Sequence, residues 1–299
     1  MVIAFDVGGT NLRSALVGDD LQVRSRRERP TPRGDAAALH AALAEEAAAQ
    51  CGQGEAPAAL GIAMAGFTNV RRGIVHTAPS LGLHEFELVA PLRRAVGLPV
   101  RLVNDVNAAA WAEAAAARCA DLVAIFIGTG VGTGFVCNGT LIEGHRGTAA
   151  EGGHAIFRAD GPACPGGHRG CYEVYLGGKA LAARAAEAGL PADAAELMRR
   201  WRDGLPAAAL VMEDAVAALQ SLCRLLVTLL DPERIVLGGG VGERTPELLD
   251  AARRAVDPHP LAAAAGPVVV EPARLGEDAG LLGAALLART LAGSVPSRS

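Results

Sequence analysis

Residues 2–28 run VIAFDVGGTNLRSALVGDDLQVRSRRE. An apolar run ends at Asp6, a glycine turn follows at Gly8 and Gly9, a second run passes through Leu16 and Val17, and Gly18 to Asp20 turns the chain into a third. Short apolar runs punctuated by Gly and Asp are the pattern of antiparallel strands joined by tight turns. A meander therefore starts with the first residues. Residues 122–139, LVAIFIGTGVGTGFVCNG, begin a second one, again strand, glycine turn and strand. The two form a weak internal repeat of architecture with little residue identity behind it.

Between the meanders, Asp35 to Gln50 has the Ala, Leu and Glu content of a helix, and Ala59 to Ala65 is a short apolar strand ending at Gly66. Leu88 to Val96 reads as a helix, Val100 to Val103 as a strand and Asn107 to Ala117 as a helix, so Asn104 and Asp105 fall at a strand-to-helix junction. Residues 144–178 mix Gly, His, Cys and Pro with little periodicity. Helices are expected over 179–200 and 210–230, a strand over Glu233 to Leu237 delivering Gly238, Gly239 and Gly240, a helix over Glu243 to Val256 and a strand over Val268 to Glu271. The late segment GLLGAALLART, residues 280–290, is a helix of small residues that can approach a neighbour closely. Alternating strands and helices with mixed meanders favour an α/β fold over an all-helical or all-strand one.

The chain has 299 residues, with 28 Lys and Arg against 32 Asp and Glu, a formal net charge of −4. No basic surplus advertises a general nucleic-acid surface. Hydrophobic residues reach 51%, much of it Ala, with only 3% aromatic, which is globular rather than membranous. The six cysteines, at 51, 119, 137, 164, 171 and 223, are too sparse for a disulfide scaffold and imply a reducing compartment. The first residues, MVIAF, run straight into Asp6 without a basic leader or cleavage site, and no apolar stretch approaches the ~20 residues of a membrane span. A cytoplasmic protein without a membrane partner is the expectation.

Three glycine turns each follow an apolar strand: Gly8-Gly9-Thr10, Gly128 to Gly134 and Gly238-Gly239-Gly240. Glycine permits positive φ and close approach, so consecutive N–H groups can point at phosphate oxygens. Thr10, Thr129 and Thr133 add hydroxyls to two of them. A Walker A lysine is missing, and so is a GxGxxG opening a helix with an acidic ribose ligand beyond it, which disfavours P-loop and Rossmann sites. Asp6, just before the first turn, can hold Mg²⁺ beside phosphates or serve as a plain turn residue. Asp105 can accept a proton from a substrate hydroxyl or merely cap its helix. Glu151, His154 and Glu173 can hydrogen-bond a polyhydroxylated ligand, whereas His154, Cys164, His168 and Cys171 can assemble a tetrahedral Zn²⁺ site or a metal-free loop.

DVGGTN at 6–11, ND at 104–105, GTGVGTG at 128–134, EGGH at 151–154, CPGGHRGCYE at 164–173, IVLGGGV at 235–241 and LGEDAGLLGAA at 275–285 together resemble the ROK family of bacterial sugar kinases and sugar-responsive repressors. The match is spread over nearly the whole chain. It implies a two-domain, actin-like (ribonuclease-H-like) α/β ATPase fold with the active site in an interdomain cleft. A smaller domain would span 1–106, completed by a C-terminal helix at 283–299, and a larger one 107–282 with the Cys/His loop.

By the same resemblance, Asp105 would be the general base taking the proton of a hexose 6-hydroxyl. Gly66, Ser80, Asn104, Glu151, His154 and Glu173 would surround the sugar. Asp6 with Gly8, Gly9, Thr10 and Asn11, Gly128, Thr129, Gly130, Gly132 and Thr133, and Gly238, Gly239 and Gly240 would border ATP and Mg²⁺. The family implies glucose first, with N-acetylglucosamine, N-acetylmannosamine, mannose and fructose as alternatives, ATP as donor, and a homodimer; polyphosphate stays open as a donor because glycine cradles bind phosphates without declaring a base. A noncatalytic sugar-responsive regulator is the reading of a different class. Repressors of the family carry a preceding DNA-binding domain, for which a meander starting at residue 1 leaves no room.

Two departures from the family pattern stand out. The middle cysteine of CxCGxxGCxE is Gly166 here, and His168 two residues on can replace the lost ligand. The usual Asn-Leu-Pro-Gly sugar segment reads Pro79-Ser80-Leu81-Gly82, where Ser80 keeps a shorter hydrogen-bonding group.

Overall fold

A computed structural model describes residues 1–52 and 56–292. The chain divides into two compact units, one of Met1–Ala115, Leu141–Ala149 and Glu277–Ser299, the other of Ala116–Thr140 and Ala150–Gly276. Positions 293–299, the last part of the helix expected at 283–299, lie outside the described residues. Among the described residues no helix is long and apolar enough to cross a membrane.

The first unit is built on strands β1 (Val2–Val7), β2 (Asn11–Val17), β3 (Val23–Pro30), β4 (Leu60–Met64), β5 (Phe67–Asn69), β6 (Ile74–Ala78), β7 (Leu83–Glu87) and β8 (Val100–Asn104). Its main sheet has the order β3-β2-β1-β4-β8, antiparallel across β3, β2 and β1 and parallel across β1, β4 and β8. β1 and β4 are buried almost throughout, as apolar strands covered on both faces must be. One face takes the helix Ala36–Cys51, whose N-cap Asp35 accepts from Ala37 N–H at 2.8 Å and Ala38 N–H at 3.0 Å. The helix Ala279–Ala292 packs beside β1, β4 and β8 with Val2, Ala4, Ala63 and Val103 in its apolar cluster. Small residues make that approach possible: a Cβ on Gly61 would stand 2.1 Å from the Ala284 carbonyl oxygen, and one on Gly283 would stand 1.8 Å from that of Ala108. Residues 67–87, to which the sequence assigned no elements, form a second, three-stranded sheet in the order β5-β6-β7.

The second unit repeats the plan with β9 (Leu122–Ile127), β10 (Val131–Cys137), β11 (Thr140–Leu141), β12 (Arg234–Gly238) and β13 (Val269–Pro272) in the order β11-β10-β9-β12-β13. β9 is antiparallel to β10 and parallel to β12, which is parallel to β13. The architectural repeat read from the two meanders is thus real at the level of strand order. Against this sheet the long helix Pro206–Leu230 buries Met212, Leu219, Leu222 and Leu226.

Two helices expected from composition are each divided. The span 179–200 becomes Gly178–Glu187 and Ala194–Arg202, because Gly189 turns at φ +74°, Pro191 follows, and Asp193 caps the second helix by accepting from Glu196 N–H at 2.7 Å. Pro246 likewise divides the expected helix at 243–256 into Gly239–Arg244 and Pro246–Val256.

Candidate active site

In the first unit, parallel pairing sets Asp6 opposite Ala63 and Met64 opposite Asn104. Strands β1, β4 and β8 therefore end at one sheet edge and deliver the Gly8–Thr10 turn, Gly66 and Asp105 side by side. The carboxyl ends of parallel strands are where α/β sheets bind ligands.

The turn is braced from two sides. Gly8 N–H donates to the Asn11 carbonyl at 3.1 Å, the Thr31 hydroxyl donates to the Gly8 carbonyl at 2.9 Å, and Thr31 N–H donates to the Thr10 carbonyl at 2.9 Å. Gly9 abuts Ser80 so closely that a Cβ there would stand 2.7 Å from the Ser80 Cβ. Arg33 fixes Ser80 in turn, donating to its carbonyl from Nε at 3.1 Å and Nη2 at 2.7 Å. Ser80, expected on the sugar side, thus touches the turn expected on the nucleotide side. The amide of Asn11 donates across the sheet to Glu28. Thr31 and Arg33 escaped the sequence reading because nothing in their spacing links them to residues 8 and 80.

Gly66 has φ +123°, and a Cβ on it would lie 2.3 Å from the Thr77 carbonyl oxygen, so only glycine fits. Asn104 caps the helix Asp105–Ala117, its Oδ1 accepting from Val106 and Asn107 N–H at 3.0 Å each, while its amide donates to the Gly66 carbonyl at 3.1 Å. Asp105 opens that helix, and its Oδ1 accepts from Val106 N–H at 3.0 Å. Burial pushes the Asp105 carboxyl above the usual carboxylate range. Asp6 is pushed up to about 6, by burial first and then by the facing Asp105, with Asp278 and Glu277 adding to the effect and Arg13 opposing it. Arg13 Nη1 lies 3.8 Å from Asp6 and also pairs with Glu28 and Glu277. A desolvated carboxyl with surplus negative charge around it suits a hard divalent cation such as Mg²⁺.

In the second unit, Gly238 pairs with Phe126, so the Gly128–Gly130 turn and Gly238 share one edge. The third glycine stretch is not a turn: Gly238 ends β12, and Gly239 and Gly240 open the helix Gly239–Arg244. Gly239 has φ +82°, and a Cβ on it would lie 2.6 Å from the Ile127 carbonyl oxygen. Gly132 and Thr133 lie within β10 rather than in the turn. Thr133 is 3% exposed, and its hydroxyl donates to the Ala150 carbonyl and accepts from Gly152 N–H at 2.8 Å. Expected to face phosphate, it instead anchors the segment that carries Glu151.

That segment is strained. Ala150 has φ +70°, and Gly153 presses so closely on β10 that a Cβ would lie 2.0 Å from the Val131 carbonyl oxygen. Glu173 reaches the same region from the helix Glu173–Leu176, its Oε2 accepting from Val131 N–H at 2.9 Å. Glu151, His154 and Glu173 are therefore all placed by residues of β10 or the turn before it.

The four Cys/His residues also meet. One ligand atom from each of His154, Cys164, His168 and Cys171 lies within 4.8 Å of all the others. His168 Nε2 bonds to the His154 carbonyl at 3.0 Å, which makes it the N–H tautomer at Nε2 and leaves Nδ1 for a metal. Gly166 N–H donates to Cys164 Sγ at 3.4 Å. A Cβ on Gly166 would lie 3.2 Å from His168 Cε1 and 3.6 Å from Cys164 Sγ, so the imidazole stands beside the place a middle cysteine would take. Burial and the neighbouring Cys164 push the Cys171 thiol up to about 11. Two thiols and two imidazoles at this spacing fit tetrahedral Zn²⁺.

A family model described as the ROK family matches residues 2–291. The chain is 36% identical over 295 residues to an N-acetylmannosamine kinase of Citrobacter koseri, covering 96% of this chain and 98% of that one. Among solved structures, a ROK hexokinase from Thermus thermophilus is 34% identical with a TM-score of 0.88, covering 98% of this chain and 99% of its own. A ROK glucokinase from Streptomyces griseus, solved in complex with glucose and AMPPNP, is 30% identical with a TM-score of 0.77, covering 97% and 99%. The fold is thereby the actin-like, ribonuclease-H-like α/β fold of the hexokinases.

Proposed function

The chain belongs to the ROK family, and from that premise we propose that it is an ATP-dependent sugar kinase in which Asp105 takes the proton of the attacking sugar hydroxyl, the 6-hydroxyl of a hexose. The observation that carries this reading is the shared edge of β1, β4 and β8, which sets a desolvated Asp105 beside Gly66 and the Gly8–Thr10 turn. A base with a raised pKa holds the proton it removes more readily, and Asn104 keeps the start of its helix fixed while it does so. Gly66, Ser80, Glu151, His154 and Glu173 would orient the hydroxyls. Gly9, Thr10, Thr129, Gly130 and the start of the helix Gly239–Arg244 would hold the nucleotide through backbone N–H groups, while the N–H groups of Gly8 and Gly128 close their own turns on the Asn11 and Gly130 carbonyls. Mg²⁺ held beside Asp6 would offset charge on the β- and γ-phosphates. Zn²⁺ on His154, Cys164, His168 and Cys171 would brace the loop carrying His154 and Glu173.

The acceptor is drawn from glucose and N-acetylmannosamine, since relatives bearing both activities in their names align over nearly the whole chain. A preference for glucose does not follow from them. The proposed setting is a cytoplasmic homodimer acting on small molecules, not on nucleic acid. Initial rates of ADP formation from Mg-ATP, measured across glucose, N-acetylmannosamine, N-acetylglucosamine, mannose and fructose, test the reading. A rate tied to one sugar supports it and names the acceptor, whereas a folded protein that turns over none of them refutes it.

A further inference from the structure

The chain contains 27 arginines and a single lysine, Lys179. It lies in the first turn of the helix Gly178–Glu187. Its backbone N–H donates to the Thr129 carbonyl at 3.0 Å, and that of Gly178 donates to the Gly128 carbonyl at 2.8 Å. These bonds seat the start of the helix on the glycine turn between β9 and β10. The side chain is exposed and has no hydrogen-bond or ion-pair partner among the described residues.

Lys179 borders a cavity of about 630 Å³, which is also lined by Thr129, Gly130, Pro165, Glu173 and Arg184. The other charges there are engaged or remote. Arg184 pairs with Asp214 and stacks over Tyr175 at 5.1 Å. Glu173 is held by Val131 N–H. Glu187 ends the helix, about 12 Å along its axis from Lys179. The cavity thus has an uncommitted cation beside Thr129 and Gly130, at the end of the helix whose dipole also favours an anion. Everywhere else the sequence supplies positive charge as arginine. A lysine differs in being a compact point charge on a flexible stem, able to follow a phosphate that moves, where a planar guanidinium demands fixed paired geometry.

We propose that Lys179 is a phosphate-contacting residue of this protein, its ammonium meeting the terminal phosphates of the nucleoside triphosphate at the Gly128–Gly130 turn. This rests on the kinase reading above, and it adds a side-chain cation to a site otherwise formed by backbone N–H groups. Its role is to hold the donor and offset its charge.

A sole lysine makes the test clean. Reductive methylation with ¹³C-formaldehyde labels only Lys179 and the terminal amine, and K179R identifies which NMR signal belongs to Lys179. Mg-ATP is expected to shift the Lys179 signal and leave the terminal one in place, while glucose or N-acetylmannosamine alone shifts neither. In kinetics, K179A is expected to raise KM for ATP about tenfold with KM for the sugar unchanged, K179R to recover part of the loss, and neither to alter Tm. If Mg-ATP raises Tm while the Lys179 signal stays still, or if K179A matches the wild type, the assignment is overturned and the kinase reading stands. If Mg-ATP neither raises Tm nor supports turnover, both fall together. A shift produced by the sugar alone would place Lys179 on the acceptor and overturn its assignment to phosphate.

Discussion

The side-chain amide of Asn104 donates to the carbonyl of Gly66 at 3.1 Å. One residue thereby ties the end of β8 to the end of β4, while its other atom caps the helix that begins with Asp105. Asn104→Ala removes both links and is expected to cost about 1–2 kcal/mol, read from denaturant unfolding. Asn104→Asp keeps the cap but puts a carboxylate against the Gly66 carbonyl and beside Asp105. It should raise the pH at which activity is lost even where stability is largely retained.

Asp105→Asn preserves shape and removes the proton acceptor. The expected loss in kcat is about 10²–10⁴-fold, with KM for the sugar changed little. Near wild-type turnover by this variant would remove Asp105 from its assigned role.

The raised carboxyls also set pH dependence. A base must be ionised, so activity is lost as pH falls through the raised pKa of Asp105, and the acid limb of the rate profile should lie above the ordinary aspartate value of about 4. Stability moves the other way. A folded-state pKa of about 6 at Asp6 means that its ionisation opposes folding above that pH. Without Mg²⁺, Asp6→Asn should raise Tm at pH 8, and the gain should shrink as pH falls through about 6.

Metal analysis of purified protein is expected to return one Zn²⁺ per chain, and chelation should lower Tm. His168→Ala should release the metal more readily than the wild type, while Cys171→Ala should abolish binding. Co²⁺ substitution gives an independent reading, since thiolate ligands produce charge-transfer absorption that a metal-free loop cannot.

Gly283→Ala tests the close seating of the last described helix. Its Cβ would fall 1.8 Å from the Ala108 carbonyl oxygen, so the helix must move away from its neighbour. A loss of about 2–4 kcal/mol is expected, measured by thermal or chemical unfolding.

By itself the sequence determined the strand–glycine turn–strand units at residues 2–17 and 122–137, the helix after Asp35 and the junction at Asp105. Each is a local matter of apolar periodicity, glycine φ and capping, all written within a few residues. It also marked the Cys/His loop and the small-residue helix. It could not decide that Gly239 and Gly240 open a helix, that Thr133 faces inward to hold the Ala150 segment, or that residues 67–87 form a sheet. Glycine is compatible with turn and helix start alike, and a threonine in a strand faces whichever side its pairing register assigns. Register, burial and the pairing of distant strands are collective. They bring Asp6, Gly66 and Asp105 to one edge and raise the pKa of both carboxyls, because desolvation belongs to the surroundings that only the folded chain supplies.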